Sequence, residues 1–170
     1  MPEIRLTVNG RQERLTVKNS TLLVNALRDQ LGLTGAREAC GVGICGACTV
    51  IVNRRTVSSC LSLAVLADGA EVLTVEGLSD GDRLHPLQQA FLEAGAFQCG
   101  YCTPGFLMSG VALLATAEDP SEEEVRHFLV GNLCRCTSYQ EILSAVMKMK
   151  EQASPDWLQP RGGLSARPPA

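Results

Sequence analysis

Aromatic side chains are scarce in this chain, with one Trp, two Tyr and four Phe among 170 residues. Any core must therefore rest on Leu, Val and Ala, and a hydrophobic share of 45% is enough to form one. No stretch of about twenty apolar residues is present to span a bilayer. Basic runs are missing too, and a net charge of −3 with a pI near 5.4 argues against nucleic acid as a partner. The opening "MPEIRLTVNG" lacks the charged-then-apolar pattern of a secretory signal and reads as a strand, so the expected location is cytoplasmic. Histidine occurs only twice, at His85 and His127, both on predicted helices where surface or capping roles suit them. No Ser–His–Asp set or carboxylate pair stands out for catalysis.

Cysteine, by contrast, is plentiful, with eight residues. In a small secreted domain these would suggest four disulfides, but nothing indicates export and the chain is longer than such scaffolds. In a reducing compartment, closely spaced cysteines hold metal. The first four follow Cys40-x4-Cys45-x2-Cys48-x11-Cys60. This is the plant-type [2Fe–2S] spacing, in which a tight loop supplies three thiolates and the fourth returns from elsewhere. Gly41, Gly43 and Gly46 in "CGVGICGAC" free the backbone to turn and to aim N–H groups at sulfur. A structural zinc site instead favours two separated knuckles.

The other four form Cys99-x2-Cys102 and Cys134-x-Cys136. Taken alone, this spacing fits an iron–sulfur cluster, a zinc site or a thiol redox couple. Both pairs precede a predicted helix N-terminus, where free N–H groups and the dipole favour an anionic cofactor. Cys134 and Cys136 must lie on a non-helical turn to face one site.

The chain divides into two halves of different character. "EIRLTVNGRQERLTV" reads as a hairpin turning at Asn9-Gly10, followed by a helix over "TLLVNALRDQLGL". A second hairpin turns near Asn53-Arg54, then come a short helical run, "CLSLAVLAD", and a strand, "EVLTVEGL". Residues 84–152 read as four helices. Thr103 is the expected cap before Pro104, and Ser121/Glu124 and Ser138/Glu141 are expected capping boxes. Met108, Met147 and Met149 fit helix packing. Helix, cysteine pair, helix occurs twice, which suggests a four-helix arrangement with an approximate two-fold axis that brings the pairs together. The expected division is 1–76, a linker at 77–83, 84–152, and a tail over 153–170 without a core of its own, flexible or held by a partner.

"EACGVGICGACTVIV", "QCGYCTPG" and "GNLCRCTSYQEI", in that order, resemble the small iron–sulfur subunit of the molybdenum hydroxylases, the xanthine dehydrogenase, aldehyde oxidase and carbon monoxide dehydrogenase family. The resemblance covers about residues 3–150 and includes all eight cysteines. Ser138 departs from it, since Gly is usual there. The implied fold is α+β: a β-grasp, plant-ferredoxin-like domain followed by a four-helix domain with approximate two-fold symmetry.

By the same resemblance, Cys40, Cys45, Cys48 and Cys60 ligate one [2Fe–2S] cluster, and Cys99, Cys102, Cys134 and Cys136 a second. Gln98 and Cys136 are expected near the molybdopterin, in its cytosine dinucleotide form, of a large partner subunit. A medium subunit holds FAD, the assembly is a dimer of heterotrimers, and electrons pass from the pterin centre through this chain toward the flavin. Arg135 either neutralises cluster or partner charge or is a solvated loop residue. The competing functional reading is a free-standing [2Fe–2S] carrier or a zinc-stabilised interaction module.

Overall fold

In the computed structural model, which describes residues 1–161, the first hairpin joins β1 (Glu3–Val8) to β2 (Arg11–Thr16). Asn9 and Gly10 take φ of 49° and 81°, the two left-handed residues that a type I′ turn requires. The second hairpin, β3 (Thr49–Val52) and β4 (Arg55–Ser58), turns the same way through Asn53 and Arg54 at φ 48° and 67°. Arg54 has no glycine-like freedom there, a cost of about 1–2 kcal/mol. Asn53 helps to hold the turn, its Oδ1 accepting the Glu71 N–H at 2.9 Å.

β5 (Glu71–Leu73) lies between the hairpins, parallel to β1 and antiparallel to β3, giving the order β2-β1-β5-β3-β4. The strand expected over "EVLTVEGL" ends at Leu73, and Val75–Gly77 forms a 3₁₀ turn. The Asn9 side chain causes this break, since it bonds both the N–H and the hydroxyl of Thr74 at 2.9 Å and takes that residue out of the ladder. "CLSLAVLAD" likewise shrinks to a 3₁₀ turn at Ala64–Ala67.

One sheet face packs on α1 (Leu23–Asn25), which runs on as a π-helical stretch over Ala26–Gln30. Ile4, Leu6, Val8, Val50 and Val72 meet Leu23, Val24 and Leu27 there. The alternate residues of β3 and β5, Ile51 and Leu73, point the other way into a second core shared with the helices. "TVIV" shows no apolar–polar alternation because both faces of β3 are covered.

The four helices are α2 (Pro86–Glu93), α3 (Thr103–Thr116), α4 (Glu122–Leu129) and α5 (Tyr139–Lys148). Neighbours run α2–α3, α3–α4, α4–α5 and α5–α2, so exchanging the two helix pairs maps each contact onto another. α3 is buried along almost its whole length and carries Phe106, Met108 and Val111 at 1% exposure or less. Each such side chain contributes about 1.5–3 kcal/mol on burial. Among the described residues, no helix is long and apolar enough to cross a membrane.

Capping departs from expectation in two places. The Ser121/Glu124 box forms as expected. Ser138 precedes α5 without a side-chain cap bond, its ψ of 32° being far from the extended value a box needs. Thr137 before it is left-handed at φ 64°, a turn that aims backbone N–H groups at the Cys134 thiol. Thr103 is the first residue of α3, not its cap: Cys102 takes the cap position, and the Thr103 hydroxyl is buried with no hydrogen-bond partner among the described residues.

His85 caps α2, its Nδ1 accepting the Leu87 N–H at 3.1 Å. Its ring meets Trp157 edge-on at 4.4 Å. Residues 153–161 thus differ from the coreless tail read in the sequence, because Trp157 and Leu158 are buried in the helical core. The rest of that tail, 162–170, lies outside the described residues.

Two thiol sites and the loops that carry them

The loop from Cys40 to Cys48 contains no regular element and turns through Gly41, Gly43 and Gly46, at φ 64°, 74° and 67°. The thiols act on one another chiefly as neighbours, Cys40 with Cys45 and Cys48 with Cys60, and Cys40 also acts on Cys60. The first pair is half-exposed and the second is buried. The Cys45 N–H also points at the Cys40 sulfur, at 3.5 Å.

The electrostatics of the two pairs differ. Backbone N–H groups of Val42, Cys45 and Ile44, with the Cys45 thiol, pull the Cys40 thiol down to about 6. Burial, with the neighbouring Cys48, pushes the Cys60 thiol up to about 11, although the Gly43 N–H works against it. A bare thiolate at Cys60 is therefore costly, and a cationic partner would offset that cost.

The second site repeats the pairing on a different scaffold. Cys99 pairs with Cys136 on the outer side, and Cys102 with Cys134 on the inner side. The Tyr101 N–H, then the Cys136 thiol, lowers the Cys99 thiol. Burial, then the Cys134 thiol, raises the Cys102 thiol to about 12. Burial opposes ionisation of Cys134 as well, but N–H groups of Ser138, Cys136 and Thr137 and the Cys102 thiol outweigh it, so its thiol is lowered. Cys134 and Cys136 lie on the expected non-helical turn ahead of α5.

All eight cysteines are free thiols. Among the described residues, no three His, Cys, Asp or Glu side chains converge on one single-ion position. At each site four thiols act on one another. A lone zinc ion needs its four ligands around one point, whereas two irons bridged by sulfide take two thiolates each. The donor set fits a dinuclear cluster.

Gln98 lies beside the second site, its Nε2 donating to the Cys136 carbonyl at 3.0 Å. One N–H and the Oε1 remain for another partner. Arg135 and His127 are exposed. Three further residues, not singled out in the sequence, connect the two loops. Arg37 donates to the Gly100 carbonyl at 2.6 Å and lies over the Tyr101 ring, while the Tyr101 hydroxyl donates to the Glu38 carbonyl at 2.8 Å. Asn132 is buried and donates to the Gly46 carbonyl at 3.1 Å. The only local signal for Asn132 was its place in "GNLCRC".

Comparison with known proteins agrees with this geometry. A family described as "2Fe-2S iron-sulfur cluster binding domain" matches residues 6–76, and one described as "[2Fe-2S] binding domain" matches residues 74–147. The chain is 49% identical to the nicotine 6-hydroxylase small subunit of Paenarthrobacter nicotinovorans, over 85% of this chain and 87% of that protein. It is 45% identical to the aldehyde oxidoreductase iron-sulfur-binding subunit PaoA of Escherichia coli O157:H7, over 85% of this chain and 71% of that one. A chain in the crystal structure of quinoline 2-oxidoreductase from Pseudomonas putida 86 superposes with a TM-score of 0.83 at 41% identity, covering 89% of this chain and 96% of that chain.

Proposed function

The chain belongs to the family of small iron–sulfur subunits of the molybdenum hydroxylases, which includes subunits of aldehyde oxidoreductases, xanthine dehydrogenases and nicotinate dehydrogenases, and on that premise we propose how its two thiol sites serve as an electron relay. Its role is electron transfer within an oxidoreductase. Cys40, Cys45, Cys48 and Cys60 hold one [2Fe–2S] cluster, and Cys99, Cys102, Cys134 and Cys136 hold the other. The observation that carries this reading is the grouping of four interacting thiols at each of two sites, one within each region matched by a [2Fe–2S] family.

A bound [2Fe–2S] cluster supplies a store for one electron. This chain's residues hold it and tune it. N–H groups of Val42, Ile44 and Cys45 at Cys40, and of Ser138, Cys136 and Thr137 at Cys134, stabilise negative charge on sulfur. The buried Cys48, Cys60 and Cys134 keep water from one side of each site, while Cys40 and Cys99 lie toward the surface. The two units follow the division 1–76 and 84–152, joined by 77–83.

The partners belong to the same reading. A large subunit holding a molybdopterin cytosine dinucleotide docks at Gln98, Cys99 and Cys136, where the unused amide hydrogen and Oε1 of Gln98 match the donors and acceptors of a pterin edge. A medium subunit with FAD takes electrons from the Cys40–Cys60 site, the complex is a dimer of heterotrimers, and the setting is the cytoplasm. Iron, acid-labile sulfide and zinc analysis of the purified complex tests the assignment. About four irons and four sulfides per copy of this chain are expected. Zinc in their place, or about two irons, contradicts it.

A further inference from the structure

Asn132 is 4% exposed and sits two residues before Cys134. Its side chain is fully used: Nδ2 donates to the Gly46 carbonyl at 3.1 Å, and Oδ1 accepts the Ser109 hydroxyl of α3 at 2.8 Å. Gly46 follows Cys45 directly. The next residue after Asn132, Leu133, donates its N–H to the Cys45 carbonyl at 2.9 Å. The backbone route from the Cys45 thiol to the Cys134 thiol is therefore covalent except at this one hydrogen bond.

The surrounding backbones permit nothing bulkier. A Cβ on Gly46 would lie 2.5 Å from the Gly131 carbonyl and 2.8 Å from Asn132 Cγ. A Cβ on Gly105 of α3 would lie 3.0 Å from the carbonyl carbon of Gly46. Two glycines, a buried amide and a buried hydroxyl thus bring a strand-side loop, a helix and the second thiol turn together at one point. Leaving a buried amide unpaired here would be costly, so the register of the two loops is held firmly.

We propose that Asn132 is a positioning residue that holds the Cys45–Leu133 hydrogen bond in place and so sets the coupling between the two clusters. The proposal rests on the reading that both thiol sets hold [2Fe–2S] clusters. Arg37 and Tyr101 join the same loops, but their bonds reach the Cys99 turn near the surface and leave the Cys45–Cys134 route untouched.

The test is low-temperature electron paramagnetic resonance of the fully reduced complex, comparing the natural chain with Asn132→Asp and Ser109→Ala. Asn132→Asp keeps the acceptor for Ser109 and replaces the donor to Gly46 by an oxygen. The natural chain should show each signal split by the other cluster. Asn132→Asp should narrow that splitting with both signals present, and Ser109→Ala should narrow it less. A lowered melting temperature with unchanged splitting in Asn132→Asp would reduce Asn132 to a packing residue and overturn the proposal. If Asn132→Asp loses a cluster, Ser109→Ala decides: narrowing there supports the proposal and natural splitting overturns it. Failure of the parent reading looks different, because it appears in the natural chain as zinc or as a single signal.

Discussion

The first thiol site rides on a glycine loop that leads into a strand, β3, whereas the second is set ahead of α3 and α5. Both nevertheless arrive at the same electrostatic layout. An outer thiol, Cys40 or Cys99, is lowered chiefly by backbone N–H groups, and an inner one, Cys60 or Cys102, is raised chiefly by burial. What differs is where the N–H groups come from. Left-handed glycines turn them inward in the first loop, and the left-handed Thr137 does the same in the second. The requirement is a set of N–H groups aimed at sulfur, and the fold underneath can be sheet or helix.

Ligand replacement should break the comparison most sharply. Cys45→Ser should remove about half of the iron and one set of cluster signals, leaving the Cys99–Cys136 site intact; Cys102→Ser should do the reverse. Metal analysis of the two variants checks this, and loss of both clusters in either variant would mean that the sites do not assemble independently.

Glycine substitutions come next in size. Gly46→Ala meets left-handed strain and a clash with the Gly131 carbonyl and Asn132, so a loss of about 3 kcal/mol or more is expected. Gly100→Ala has φ 73° but open space around the new methyl, so strain alone should cost about 1 kcal/mol. Denaturant unfolding of both variants measures the difference. Equal losses would mean that the first loop is no more tightly packed than the second.

Smaller than the Gly46 effect is a pH dependence confined to the helical half. Burial, with Arg161 adding a like charge, lowers the pKa of His85 to about 4. Above the ordinary imidazole value of about 6.5 the ring is neutral in folded and unfolded chains alike, and its contribution to stability is fully present. As pH falls from there toward 4, the unfolded chain binds the proton first and stability is lost, about 1.4 kcal/mol by a pH of about 5.5. His85→Asn keeps a capping side chain and should flatten this slope in thermal melts between pH 7 and 5.5. A slope equal to the natural chain's would place the titrating group elsewhere.

Much of this was readable locally. The eight cysteine positions, the hairpins at Asn9-Gly10 and Asn53-Arg54, and the Ser121 capping box all depend on neighbours a few residues apart, which spacing exposes. The misplaced caps at Thr103 and Ser138 look just as good on spacing, but the neighbouring cysteine turns claim the backbone geometry that caps would need. Asn132 with Gly46, Arg37 with Gly100, and His85 with Trp157 were not readable at all. The first two join residues brought together only when the helical half covers the second face of β3 and β5, and the third joins the start of α2 to the segment after α5. The Ile51 and Leu73 side of the sheet is the physical reason the two sites share a border.

An electron relay through this chain requires two cluster sites of distinct surroundings. Electron paramagnetic resonance of the reduced complex, with spins counted against total iron, tests that most directly. Two different signals, each integrating to about one spin per copy of this chain, are predicted. A single signal at one spin per copy, or silence with zinc present, would contradict it.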